Sequence, residues 1–448
     1  MTLLRYAGCA LGFAVQAAVA QEVREETPPR LDYRVELGVS HSDNVNLNED
    51  DPKSDTIVAP AFGFQYRQGG STVQARVDGA MQYLDYLQNT FGDELRGQIG
   101  GHVNWTISPE RLNFVVEDYL GLEPVDNLAT NAPSNLQQTN VFALGPTFDF
   151  RFGTAARGQV EVRYINSYAE KSDQFNSNRE VGAFRVIRDL TATSLASANV
   201  EAQHIDFVHD TGGPSFNRYN LFGRYAQSLR VFDYAFDLGY NWIKSGEPLG
   251  DHSHPLARFN GDWHPTERSR LGLVGAYHYS DAATDLLETI ETRITPGRVA
   301  AQIATSIPTG AAVVSPSPYQ ETHFMLLYGF HDTPWAVDLS AHYQKLDYLN
   351  SFNDPFGGSS QILRGGELDL GYNFSPQITA GLLGVAETYD YPGLERTDHN
   401  WTYGLFYRQT LTPHWSWNAE YAHYKRDSNA PGQDVTQNVI FASVSYTR

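Results

Sequence analysis

A period of two runs through nearly the whole chain and is plainest at Trp401–Tyr424. Trp401, Tyr403, Leu405 and Tyr407 share one side, and Thr402, Gly404 and Arg408 share the other. Beyond Thr412-Pro413-His414, Trp415, Trp417, Ala419 and Tyr421 alternate with Ser416, Asn418 and Glu420. Successive side chains of a strand point to opposite faces, so this reads as two strands joined by a turn containing Pro. An apolar face backed by a polar one, with aromatics toward the ends, suits a strand that crosses an outer membrane.

The unit repeats, and its connections alternate in length. Short turns fall at Gln68-Gly69-Gly70, Ser108-Pro109-Glu110, Gly153–Ala156, Arg188–Thr193, Arg230–Asp233, His264-Pro265-Thr266, Asp332-Thr333-Pro334, Ser375-Pro376-Gln377 and Thr412-Pro413-His414. Longer polar loops separate them at Asp43–Asp55, Leu87–Asp93, Glu123–Leu136, Lys171–Asn178, Asp210–Pro214, Ser245–His254, Asn350–Ser360, Pro392–Thr397 and Arg426–Asp434. Outer-membrane barrels show this asymmetry, with short turns in the periplasm and longer loops outside; a soluble sandwich has no reason to keep it. The expected fold is all-β, a transmembrane antiparallel up-and-down barrel of about twenty strands, within roughly eighteen to twenty-two. The segment Asp281–Gln320 carries several readings. It is one long loop, folded into the lumen or loosely ordered, or it hides a further hairpin.

Residues 1–20, with Arg5, an apolar stretch and Ala18-Val19-Ala20, read as a signal peptide cut before Gln21. The only cysteine, Cys9, lies within it, so the expected mature chain has no thiol chemistry. Residues 21–30 read as a short periplasmic leader and residues 31–448 as one barrel domain. The mean hydropathy of −0.41 does not oppose a membrane barrel, because half of every strand is polar. A net charge of −20 speaks against nucleic acid as a partner and suits solvated acidic loops or contact with cations. Outer-membrane lipid and lipopolysaccharide are the expected surroundings.

The stretch Leu37-Gly38-Val39-Ser40-His41-Ser42-Asp43-Asn44-Val45-Asn46-Leu47, followed by Ser54-Asp55-Thr56, resembles the β-barrel porin type 2 family. Within that family it is most similar to the barrels that accompany exosortase (PEP-CTERM) and exopolysaccharide gene clusters. The resemblance implies an outer-membrane barrel tied to polysaccharide secretion or surface assembly, with polysaccharide or periplasmic secretion components as partners. It implies no catalytic residue and no cofactor.

Chemistry is sparse. The chain holds no nucleophile elbow, zinc-helix motif, phosphate loop or calcium loop, and His252 and His254 are too few to hold a metal. What remains is the lumen. Phase turns Arg34, Glu36, Arg76, Asp78, Glu161, Arg163, Asp237, Asp338, Glu367, Asp369, Arg408 and Glu420 inward. They would either select solute in a polar channel or pair with one another to stiffen the wall. Trp242, Trp401, Trp415, Trp417 and Tyr446 fit headgroup belts. Phe207, Phe406 and Tyr424 are the inward aromatics, too few for a densely aromatic sugar track. The functional expectation is a polar channel or export conduit. A non-conducting scaffold for secreted polymer or surface proteins is the alternative, and a barrel hydrolase a third.

Overall fold

The computed structural model describes residues 27–153, 156–288, 314–349 and 360–448. The expected signal peptide, residues 21–26 of the leader and the body of the loop Asn350–Ser360 lie outside the described residues. The strands are β1 Thr27–Ser42, β2 Asp55–Gly69, β3 Val73–Tyr86, β4 Glu94–Ser108, β5 Leu112–Pro124, β6 Leu136–Phe152 and β7 Ala156–Ala169. They continue with β8 Ser177–Thr191, β9 Ser194–Phe207, β10 Phe216–Ser228, β11 Phe232–Ser245, β12 His252–Thr266, β13 Ser269–Ser280 and β14 Tyr319–Asp332. The last are β15 Trp335–Tyr348, β16 Ser360–Ser375, β17 Ile378–Tyr391, β18 Arg396–Thr410, β19 Trp415–Ser428 and β20 Val435–Thr447. Among the described residues one α-helix, α1, spans Ala282–Glu288.

Each strand pairs antiparallel with its neighbours in sequence, and β20 returns to β1 in the register Arg34↔Thr447 to Ser42↔Val439. The result is a closed twenty-stranded sheet. Closure matters because lipid offers no hydrogen bonds to an open edge. The strand β1 starts at Thr27, inside the stretch read as a leader, with Thr27↔Gly69 and Arg30↔Arg67 already paired to β2. Likewise His264-Pro265-Thr266 belongs to β12, and the turn that follows it is Glu267-Arg268.

Alternation sorts the two faces. In β1, Leu31, Val35, Leu37 and Val39 are exposed, whereas Glu36, Ser40 and Ser42 are buried. Leu37 at 56% exposure beside Glu36 at 8% inverts the rule for a soluble core, and so marks the outer face as lipid-facing. Aromatic belts flank it. Trp105, Trp263, Trp335 and Trp415 are exposed at the short-turn end, and Tyr83, Tyr168, Tyr219, Tyr277 and Trp401 at the loop end. Val200, midway along β9, is exposed in register with the exposed Phe184 and Leu221. Val200→Arg should therefore destabilise the barrel by about 2–4 kcal/mol, the cost of a base at mid-membrane. Urea titration of protein refolded in liposomes checks this, and an unchanged midpoint would remove Val200 from the lipid face.

Apolar packing gathers on the inner side, toward the loop end. There Val45, Ile57, Ala59, Leu84 and Tyr86 form one cluster, and α1 completes a larger one with Tyr119, Val141, Ala143, Ile165 and Val181. The segment Asp281–Gln320 is thereby partly resolved. Its first residues run inward as α1, Val314, Ser315 and Ser317 are buried, and Tyr319 and Gln320 belong to β14. Because Ser280 pairs directly with Tyr319, no further hairpin enters the wall between β13 and β14. Residues 289–313 lie outside the described residues.

Candidate luminal site

Most inward charges predicted from phase have partners on the wall itself. Arg34 pairs with Glu36. Asp78 accepts both arms of Arg67 at 2.9 and 3.0 Å and lies 3.5 Å from Arg76. Asp237 sits 3.1 Å from Arg258 and 3.7 Å from Arg224. Near the short-turn end Asp338 meets His331 at 3.0 Å. Glu367 and Asp369 share the inward phase of β16 with the buried Gln361 and Leu363, and Glu420 shares that of β19 with the buried Ala422 and Arg426. Arg408 is exposed and stacks 4.7 Å above the Phe406 ring.

Glu161 and Arg163 belong to a buried network. Glu161 lies 2.8 Å from Arg163 and 2.6 Å from Arg185, which also reaches Glu201 at 3.1 Å. The register between β6 and β7 passes from Leu144↔Tyr164 to Thr147↔Glu161 and skips Gly145 and Pro146. Proline brings no N–H to a ladder, and a Cβ on residue 145 would stand 2.0 Å from the Val162 carbonyl oxygen. The guanidinium of Arg163 fills the break. It donates to the carbonyls of Gly145, Pro146 and Val162 at 3.0, 2.9 and 3.1 Å, and to Thr147 Oγ1 at 2.9 Å. Arg163 thus staples the wall.

A second constellation forms where the start of α1 meets β8 and β10. Asp281 Oδ1 accepts from Arg179 of β8 at 2.5 Å, and Oδ2 accepts from Arg218 of β10 at 3.0 Å. Thr284 adds its hydroxyl to Oδ2 at 2.9 Å and its backbone N–H to Oδ1 at 3.2 Å. Burial alone would push the Asp281 carboxyl up, but the two guanidiniums hold it below the usual carboxylate range. Four residues on, Asp285 accepts from Ser280 and Tyr319, each at 2.5 Å. Its carboxyl is pushed well above the usual range, by burial first and then by Glu321 and Glu288.

The two aspartates bound a pH window for the docking of α1. A depressed carboxyl contributes above its unfolded pKa and loses that contribution as pH falls through the folded value, which sets the acid limit at Asp281. A raised carboxyl contributes while protonated and opposes docking as pH rises through its folded value, which sets the alkaline limit at Asp285. Hydrogen-exchange protection of residues 281–288 should therefore fall as pH rises, and Asp285→Asn should flatten that fall. Protection that increases with pH would reverse the assignment.

The loop between β5 and β6 makes a further crossing. Its residues Leu128 and Ala129 lie about a third of the way round the ring from the strands that hold them. Arg396 donates to the Leu128 carbonyl at 2.6 Å, and Arg426 to those of Leu128 and Ala129 at 3.1 Å each. Asp398 fixes both guanidiniums, at 3.0 and 2.6 Å. The loop after β1, which carries the resemblance noted above, folds inward as well. Asn44 ties Asn48 O and Thr436 O at 3.0 Å, Asp55 accepts from the N–H groups of Thr56, Gln88 and Thr90, and Thr130 Oγ1 donates to Leu47 O at 3.1 Å.

Sequence reasoning missed Arg179, Arg185, Arg218, Asp281, Arg396 and Arg426. Arg179, Val181, Ala183 and Arg185 do lie on one side of β8 at spacing two, a legible signal. Their partners on other strands are not legible. The expectation of few inward aromatics also needs correction. Besides Phe207, Phe406 and Tyr424, the buried Tyr86, Tyr119, Phe175, Phe216, Tyr319 and Tyr391 stand in the inner clusters. They pack under inward loops and form no open stacking track.

No protein-family profile matches the chain, and no curated protein matches it. Among solved structures it is similar to the FrpB iron transporter from Neisseria meningitidis, at 10% identity over 93% of this chain and 82% of that one, with a TM-score of 0.46. It is similar to the siderophore receptor PirA from Pseudomonas aeruginosa, at 9% identity over 95% and 81%, with a TM-score of 0.44. OccAB4 of Acinetobacter baumannii follows at 10% identity over 95% and 99%, with a TM-score of 0.38. Similarities of this size assign no substrate.

Proposed function

We propose that the chain is a polar conduit across the outer membrane, narrowed at its loop end, that serves the passage or surface assembly of exopolysaccharide. The inner face of β9 carries the reading. Ser197, Asn199, Glu201 and Gln203 are all buried there, while Ala198, Val200 and Ala202 face outward. A barrel built only as a scaffold has no need of a hydrophilic interior, whereas a conduit does. The exopolysaccharide assignment rests on the resemblance of residues 37–47 and 54–56, which shape the inward loop after β1.

The scaffold reading draws on a different observation. The charges of the wall are largely spent on one another, as at Arg34–Glu36 and Asp237–Arg258. Single-channel recording of the refolded full-length protein separates the two. Defined conductance steps, in the intact protein or after removal of α1, support the conduit. Silence in both, with heat-modifiable migration showing a folded barrel, would leave the scaffold.

A further inference from the structure

We propose that Arg179 and Arg218 form a binding site for the carboxylate of an anionic solute, and that Asp281 fills it here as a built-in surrogate. The inference deepens the conduit reading and rests on it for the route by which the solute arrives. Its starting point is a difference among the buried arginines. Arg163, Arg185 and Arg258 meet carboxylates carried by the wall, namely Glu161, Glu201 and Asp237. Among the described residues, Arg179 and Arg218 meet only one carboxylate, Asp281, which lies outside the wall at the start of α1.

The wall holds each guanidinium at one nitrogen, and Thr284 of α1 also accepts from Arg218 Nη2 at 3.1 Å. Arg179 Nε donates to Ser177 Oγ at 3.2 Å, and Arg218 Nη2 donates to Gln203 Oε1 at 2.6 Å. Each then turns an Nη1 toward the same point, where the two oxygens of Asp281 sit at 2.5 and 3.0 Å. Two charge-assisted donors from separate strands, converging on one carboxylate, define a carboxylate site whoever supplies the anion. If α1 lifts, two guanidiniums lose their only described counter-charge in a poorly solvated place, and an incoming carboxylate restores it.

The neighbouring cleft favours a polyhydroxylated carrier of that carboxylate. Gln203, Asn220 and His278 line its wall as polar groups beside the charged Glu117, Glu201 and Arg258, with Ile165 and Val181 as apolar ones, and α1 adds Leu287 and Glu288. That mixture suits the hydroxyls and C–H faces of a sugar acid. A simple organic acid shares the carboxylate but would leave the polar lining unused.

Equilibrium titration of the detergent-purified full chain tests this with glucuronate, acetate and glucose as probes. Asp281→Asn weakens the internal competitor and should bind glucuronate about tenfold more tightly than the parent, while glucose binds neither. Adding Arg179→Gln and Arg218→Gln should abolish the gain. Glucuronate bound in preference to acetate identifies a sugar-acid site, and equal binding identifies a general carboxylate site; both support the proposal. Absence of carboxylate binding by Asp281→Asn, or its persistence in the triple variant, overturns it. If Asp281→Asn fails to fold, Leu286→Ala with Leu287→Ala loosens α1 and leaves both arginines intact, and the same outcomes apply. Conductance of the same preparations is read separately. A conducting barrel that ignores glucuronate ends this inference alone, and a silent barrel that binds it ends the conduit alone.

Discussion

Excising residues 281–318 and joining Ser280 to Tyr319 through a two-residue Asn-Gly turn should raise single-channel conductance several-fold. Ser280 and Tyr319 are register partners on β13 and β14, so a tight hairpin turn closes them without moving the wall. What leaves the lumen is α1 with Asp281 and the buried Val314, Ser315 and Ser317. Their removal frees the inner face of β8–β10 to water. Loss of the apolar contacts made by Ala282, Ala283, Leu286 and Leu287 weakens one cluster, but the backbone ladder of the barrel is untouched. Conductance equal to that of the intact chain, from a barrel shown to be folded, would mean that α1 does not obstruct the path.

Arg163→Ala should be the most damaging single change in the wall, at about 3–5 kcal/mol, the range for breaking a buried ion pair from one side. It leaves Glu161 short of one counter-charge and deprives three carbonyls at the Gly145-Pro146 break of their donor. Arg163→Lys should recover only part, since an ammonium cannot span the same four acceptors in one plane. Arg408→Ala, on an exposed inward position, should change stability by about 1 kcal/mol or less. Urea midpoints in liposomes give the comparison. Equal losses at the two positions would defeat the staple.

The contrast between those arginines shows what was legible in the sequence. Strand number, antiparallel up-and-down connection and lipid face follow from a two-residue period with alternating turn length, and β1, β9 and β18 obey it. Phase also turned Arg163 and Arg408 inward alike. It could not rank them, because a partner's identity depends on the register between neighbouring strands, and on a gap at Pro146 that alternation does not mark. The inner clusters stayed hidden for a related reason. Near the loop end Val141, Ile165 and Tyr86 are apolar and point inward, since loops return to cover them. A reading that sends every apolar residue to lipid has no place for such positions. The short helix α1 carries no strand period, and its seven residues are too few to announce a helix by pattern.

Two of the crossings described above have a mechanical consequence. A ring of hydrogen-bonded strands resists stretching but ovalises easily, as a hoop does. The β5–β6 loop, clamped by Arg396 and Arg426, is a chord across that hoop, and α1, pinned at Arg179 and Arg218, is another. Both have a foot on the arc β5–β10, and their other ends lie at β13 for α1 and at β18 and β19 for the loop. The loop end is therefore braced at two separate places round the ring. At the short-turn end the described residues provide no chord. The barrel should breathe at one mouth and hold its shape at the other, so a bulky passenger entering by the soft mouth meets its first rigid gauge only at the arginines beneath α1.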